Sequence, residues 1–217
     1  MSSKKVGVLG SGKVGEVLAN GFLKYGYSVM RASREPAKLE AWKSGASGEA
    51  SIGTPADAAK WADIVVLAVK GGAAEAALDQ AGIANLAGKT VIDATNPIAD
   101  APPKNGVLQY FTHMNESLME RLQKKAPNAH FVKAFSQVSN AVMVNPKLAT
   151  QPTMFICGND DGAKQTTTEI LTQFGWETID LGKAEAAGPI ESLCALFCIT
   201  GMLKGDWVHA IKYVRAG

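Results

Sequence analysis

Val6-Gly7-Val8-Leu9-Gly10-Ser11-Gly12-Lys13-Val14-Gly15 is the stretch that decides the fold. Val6 to Leu9 is a short apolar run suited to a buried strand, and Gly10 to Gly15 then matches G-x-G-x-x-G. From Glu16 to Tyr25 the apolar residues Val17, Leu18, Phe22 and Leu23 recur at helical spacing, and Gly26 stands where a helix C-cap belongs. A glycine turn between a strand and a helix is the setting in which this pattern holds a dinucleotide. The first glycine permits the tight turn, the second lets backbone approach the pyrophosphate, and the third allows close helix–strand packing. The helix dipole and free N–H groups then favour the phosphate charge. A Walker A reading fails, because the glycine spacing before Lys13 is wrong and Val14 stands in place of Ser or Thr. A kinase glycine loop would join two strands, whereas Glu16 to Tyr25 reads as helix.

Working outward, Tyr27 to Ala32 reads as a second strand and Ala50 to Ile52 as a weak third. Pro36 opens a helix running to about Trp42, and Thr54-Pro55, with Asp57 in the first turn, starts another. Ile64 to Val69 is apolar throughout, as a strand covered on both faces should be. Ala73 to Gln80 reads as helix and Thr90 to Asp93 as strand, followed by a Pro- and Asn-rich connection over Ile98 to Thr112. Beyond it come a helix at Glu116–Lys125, strands at His130–Ala134 and Thr153–Cys157, and a helix at Asp161–Phe174. A strand at Glu177–Leu181 and an apolar helix from about Pro189 complete the reading. This alternation predicts an α/β fold with a doubly wound, mostly parallel sheet. Residues 1–134 would form the dinucleotide-binding Rossmann domain, and 135–217 a smaller C-terminal part completing the cleft.

At the end of the second strand, where an acid would hold a ribose 2′-hydroxyl, the chain has Ala32-Ser33-Arg34. A hydroxyl and a guanidinium suit a 2′-phosphate, so the residues favour NADP(H) over NAD(H). Lys38 is expected to be free to add a second cation, while Glu35 takes an exposed first-turn position beside Pro36.

The remaining composition narrows the class. Of 217 residues, 47% are hydrophobic and 19% charged, and a net charge of +2 with scattered Lys and Arg argues against a nucleic-acid surface. The longest apolar stretch, Leu193 to Leu203, is too short for a membrane span, and no secretory signal is expected at the start. Cys157, Cys194 and Cys198 suggest a reducing, cytoplasmic setting. No His or acid completes a metal site with Cys194 and Cys198. No paired-carboxylate or Ser-His-Asp pattern is evident. Lys133 and His113 are possible acids near a nicotinamide, but a solvated surface Lys and a loop His are the expected readings. Phe135 is expected to be packing before it is a ring wall. The last helix, apolar over much of its circumference, suits either the core or a homodimer.

With those residues in view, the chain resembles the NADP oxidoreductases dependent on the deazaflavin coenzyme F420. The resemblance rests on Val8 to Gly15, on Ser33-Arg34 with Lys38, on Asp93-Ala94-Thr95-Asn96-Pro97, on Val132-Lys133-Ala134-Phe135, and on Ala187-Gly188-Pro189-Ile190-Glu191. It implies that Gly10, Ser11, Gly12, Lys13, Val14 and Gly15 line the pyrophosphate and that Ser33, Arg34 and Lys38 hold the 2′-phosphate. Val69, Lys70, Asn96, Pro97 and Ala134 would border the rest of the cofactor. It also implies hydride transfer to a small electron carrier, coenzyme F420 or a flavin, stacked on the nicotinamide. Such transfer needs placement more than acid or base. Ser136 departs from the family pattern, in which Asn commonly follows Ala-Phe. Two other readings stay open. One is an imine or carbonyl reductase, though the stretch after residue 134 is short for the helical domain such enzymes carry. The other is a non-catalytic dinucleotide-binding redox module, which a likeness to the reductase domain of six-transmembrane metalloreductases keeps in view.

Overall fold

The computed structural model describes residues 4–113 and 115–216. Eight strands form one sheet: β1 (Lys5–Leu9), β2 (Ser28–Ala32), β3 (Ala50–Gly53), β4 (Ile64–Leu67), β5 (Thr90–Asp93), β6 (His130–Lys133), β7 (Thr153–Gly158) and β8 (Glu177–Asp180). Their order is β3-β2-β1-β4-β5-β6-β7-β8, and every pairing is parallel except β6 with β7. This is the predicted Rossmann-type α/β sheet. The strand order reverses between β1 and β4, the switch point at which such sheets take ligands. The stretch after residue 134 contributes β7 and β8 to the same sheet.

Helices α1 (Lys13–Lys24) and α6 (Asp161–Gln173) cover one face, where Leu18, Phe22, Ile170 and Phe174 meet Val6, Val8 and Val66. On the other face α3 (Pro55–Trp61), α4 (Ala74–Ala81), α5 (Leu118–Lys125) and α7 (Ala187–Lys204) bury Ala58, Leu78, Leu122 and Ile190 against Leu9, Leu67 and Phe131. Side chains alternate along each strand, so one apolar run feeds both cores. The short α2 (Glu40–Gly45) follows a 3₁₀ turn at Pro36–Leu39, so the single helix expected there is broken.

The helix starts follow their caps. Thr54 accepts from the Asp57 N–H while Asp57 reaches back to the Thr54 N–H, and Ser117 with Glu120 repeats the arrangement on α5. α1 begins at Lys13, three residues before the expected start, because the glycine turn itself forms its N-cap. The helix Ala184–Lys204 is long and apolar enough, by length and composition, to cross a membrane, which the count of unbroken apolar residues did not anticipate. Here Ile190, Cys194 and Phe197 pack inward, and Glu191 on the same side is buried and ion-paired. Leu196 and Leu203 stay exposed.

Candidate functional site

The glycine turn lies at the carboxyl end of β1, flanked by β2 and β4. Gly10 has φ 150°, and a Cβ there would fall 2.2 Å from the Ala68 carbonyl oxygen. Gly15 sits against the turn itself, its would-be Cβ 2.5 Å from the Gly10 oxygen. Gly12, in contrast, faces open space, with no atom within 4 Å of a built Cβ. Two glycines are thus demanded by packing, while the middle one leaves a cradle beside the N-terminus of α1, whose first N–H groups lack helical partners. Ser11, Gly12 and Lys13 are exposed, and Lys13 Nζ lies 2.8 Å from Glu16 Oε1 on the surface.

At the end of β2, Ser33 Oγ accepts the Glu35 N–H at 3.2 Å. Arg34 is exposed and makes no hydrogen bond or ion pair among the described residues. Lys38 corrects the sequence expectation of a free second cation: its Nζ lies 2.8 Å from Glu35 Oε1. That pairing holds Glu35 below the usual carboxylate range, and both side chains are solvent-exposed, so the pair is readily exchanged for a stronger anion.

Arg31 was not singled out from sequence. It is 1% exposed, lies 4.8 Å above the Trp42 ring, and donates from Nη2 to the Gly12 carbonyl at 3.3 Å. Its Nε has no partner. Burial lowers its pKa, partly opposed by Glu16. The available signal was a cation two residues after core-facing Val29, on the same strand face.

The carboxyl ends of β5 and β6 build the next wall. Ala94, Asn96, Phe135 and Ser136 line a cleft of about 550 Å³ together with Val14 from α1 and residues of α7. Asn96 Nδ2 donates to the Ser136 carbonyl at 2.7 Å, which leaves Asn96 Oδ1 and Ser136 Oγ buried without partners. One free acceptor beside one free hydroxyl complements a primary carboxamide, the polar group of nicotinamide. Phe135 is held at φ 61°, where its N–H meets Met154 Sδ at 3.3 Å. A bulky residue in that region is strained, and the strain sits at the cleft wall. Val69 is half-buried and Lys70 exposed beyond β4, while Pro97 and Ala134 are buried.

Lys133 overturns its expected role as a solvated surface lysine. It is fully buried, with Nζ 2.7 Å from Asp93 Oδ2, 2.8 Å from Glu191 Oε1 and 2.9 Å from the Thr95 carbonyl. Burial works against its charge, but Asp93 and Glu191 outweigh that effect and raise its pKa above the ordinary lysine value. Glu191 also accepts the N–H groups of Leu118 and Met119 at 3.0 and 3.1 Å, capping α5. Its own carbonyl takes the Tyr110 hydroxyl at 2.6 Å. Asp93 Oδ1 accepts both the N–H and the hydroxyl of Thr95, fixing the turn that presents Asn96. His113 lies elsewhere, in a smaller pocket with Tyr110, Glu116 and Glu191. Neither proposed acid faces the main cleft. No group of three or more metal-ligating side chains occurs among the described residues.

A protein from Arthrobacter sp. FB24, provisionally designated an F420-dependent NADP reductase, superposes with a TM-score of 0.91. It is 30% identical, with 98% of this chain and 100% of that one covered. The chain belongs to the F420-dependent NADP oxidoreductase family. The family described as "NADP oxidoreductase coenzyme F420-dependent" also matches residues 5–97, from β1 to the Asn96-Pro97 turn. The F420-dependent NADP reductase of Methanocaldococcus jannaschii is 28% identical over 141 residues, covering 64% of this chain and 62% of that protein. Rat metalloreductase STEAP3 is 28% identical over 191 residues, 87% of this chain, and the chain spans only 36% of that protein's length. As a family member the protein is an NADP-dependent oxidoreductase, and the glycine cradle and the orphaned Asn96–Ser136 pair fit a dinucleotide.

Proposed function

We propose that this oxidoreductase moves a hydride between NADP(H) and a deazaflavin or flavin-like carrier, in a single cleft. The pyrophosphate rests on Ser11 to Val14, the 2′-phosphate on Ser33, Arg34 and Lys38, and the nicotinamide carboxamide on Asn96 and Ser136. Val69, Lys70, Pro97 and Ala134 border the remainder. Support comes from one observation above all: Val14 of the glycine-turn helix and the Asn96–Ser136 pair share a cavity with aromatic residues of the C-terminal part. Transfer breaks one C–H bond of the reduced dinucleotide and forms one bond to hydrogen on the acceptor, with the one balancing proton drawn from solvent. Among the described residues lining that cavity the ionisable side chains are the Cys194 and Cys198 thiols, with no carboxylate, lysine or histidine, which suits transfer governed by placement.

The test mixes the protein and NADPH with coenzyme F420, FMN, FAD and a panel of imines and aldehydes, following loss of reduced nicotinamide absorbance. Oxidation with a deazaflavin or flavin is expected. Selective turnover of an imine or aldehyde, or no turnover with any acceptor, overturns the reading. The cofactor half is tested separately by Arg34→Ala. Losing a charge-assisted hydrogen bond to the 2′-phosphate should weaken NADPH by about 1.5–3 kcal/mol, roughly 10- to 150-fold, and leave NADH nearly unchanged. Equal losses for both dinucleotides in direct titration would remove Arg34 from the phosphate site.

A further inference from the structure

α7 turns a pair of thiols toward the cleft. Cys194 and Cys198 stand four residues apart, so both project from one side of the helix, and both line the cavity. Their Sγ atoms are 4.0 Å apart, and neither belongs to a disulfide. Cys194 is buried and Cys198 half-buried. Past the helix, Gly205, at φ 68°, reverses the chain. Trp207 then lies so close on Gly201 that a Cβ there would sit 2.4 Å from the indole ring. Trp207 and Phe197, 6.3 Å between ring centroids, line the same cavity as the thiols.

The separation of the sulfurs chooses among the uses open to two thiols. A disulfide needs them at about 2.05 Å, so they would have to close by about half, against a helix that holds their backbones four residues apart. Two metal–sulfur bonds of about 2.3 Å each reach across up to about 4.6 Å, so an ion fits between the sulfurs as they stand. The contact between the sulfurs lowers the pKa of Cys198 and, with burial, raises that of Cys194. The second proton therefore leaves in exchange for a cation that takes its place.

The ligand set then chooses the ion. No His, Asp or Glu joins the two thiols in a set of three among the described residues. A structural zinc takes four protein ligands, and calcium or magnesium takes a shell of oxygens, neither of which the pair supplies. Soft thiolates select copper(I), which two sulfurs can satisfy. We infer that Cys194 and Cys198 form a two-thiolate site for copper(I). Binding makes two copper–sulfur bonds, releases two thiol protons to solvent and changes no oxidation state. The site stands independently of the hydride-transfer reading.

Copper(I), titrated without oxygen into the full chain against a colorimetric copper(I) chelator, should bind at one ion per chain. Cys194→Ser and Cys198→Ser should each weaken it by about 100-fold or more, at or beyond the upper end of the roughly 10- to 100-fold lost with a neighbour that only orients a ligand. Melting temperatures near the parent's report that both variants are folded. X-ray absorption at the copper edge of the loaded parent should show a shell of two sulfurs, an answer that needs no variant. Zinc(II), left short of its four ligands, should be stripped by a weak chelator. The inference is overturned by the absence of stoichiometric copper(I) binding, by parent-like affinity in either serine variant, by nitrogen, oxygen or further sulfur in the copper shell, or by retention of zinc.

Discussion

Lys133→Met should cost about 3–5 kcal/mol of stability, the loss expected when one partner of a fully buried ion pair is removed. For a chain of 217 residues that corresponds to a fall in Tm of about 6–20 °C. The cause is not the absent lysine contact but the two carboxylates left behind. Asp93 and Glu191 are each enclosed by protein, and among the described residues Lys133 Nζ is the cation in ion-pair contact with both, at 2.7 and 2.8 Å. Adding Glu191→Gln to Lys133→Met should recover part of the loss, because the amide oxygen still accepts one of the two α5 N–H groups while one orphaned charge disappears. A single variant melting within about two degrees of the parent would show that the cluster is not the fold's central tie.

The same cluster predicts a sign for alkaline stability. The folded pKa of Lys133 lies above its ordinary value. Its contribution is therefore intact below the unfolded lysine pKa of about 10.4 and is lost as pH rises through the folded value. The parent protein should lose Tm over that alkaline window, and Lys133→Met should lack that component of the loss.

Asp93, Lys133 and Glu191 also show where reading the sequence stops. Each lies in a segment that carries the family resemblance, yet nothing local in Asp93-Ala94-Thr95, Val132-Lys133-Ala134 or Ile190-Glu191 says that the three charges meet. A lysine at a strand end reads as solvated until β5, β6 and α7 are laid side by side. The sheet itself was legible, because Val6–Leu9, Ile64–Val69 and the Val91-Ile92 pair put apolar side chains on both faces and turns punctuate them. The reversed direction of β7 was not legible, since an apolar run reads alike in either sense. Ser33 and Arg34 were legible because their place after β2 is set by local order. The pairing of Lys38 with Glu35 was not legible, although Glu35 stands only one turn away. Trp207 left no signal, as its place on the cleft depends on a chain reversal that no periodic pattern marks.

The glycine turn supports the sharpest separation of stability from binding. Gly10→Ala should destabilise the fold by about 3–5 kcal/mol, combining the strain of φ 150° with overpacking against the Ala68 carbonyl. That carbonyl cannot retreat cheaply: the Ala68 N–H is bonded to the Leu9 carbonyl at 2.9 Å, and the Gly10 N–H to that of Ala32 at 3.2 Å, so β1, β2 and β4 all meet there. Gly12→Ala is the counterpart. Gly12 has φ −78° and open space where its Cβ would go, so Tm should move little. The added methyl would instead occupy the surface on which the pyrophosphate is proposed to rest, and NADPH affinity should fall about tenfold or more. Measured together, the two variants assign separate roles to two glycines of one motif. Parent-like NADPH binding by Gly12→Ala would mean that the cradle is empty of cofactor, and the turn would then be required only for the architecture that Gly10 holds together.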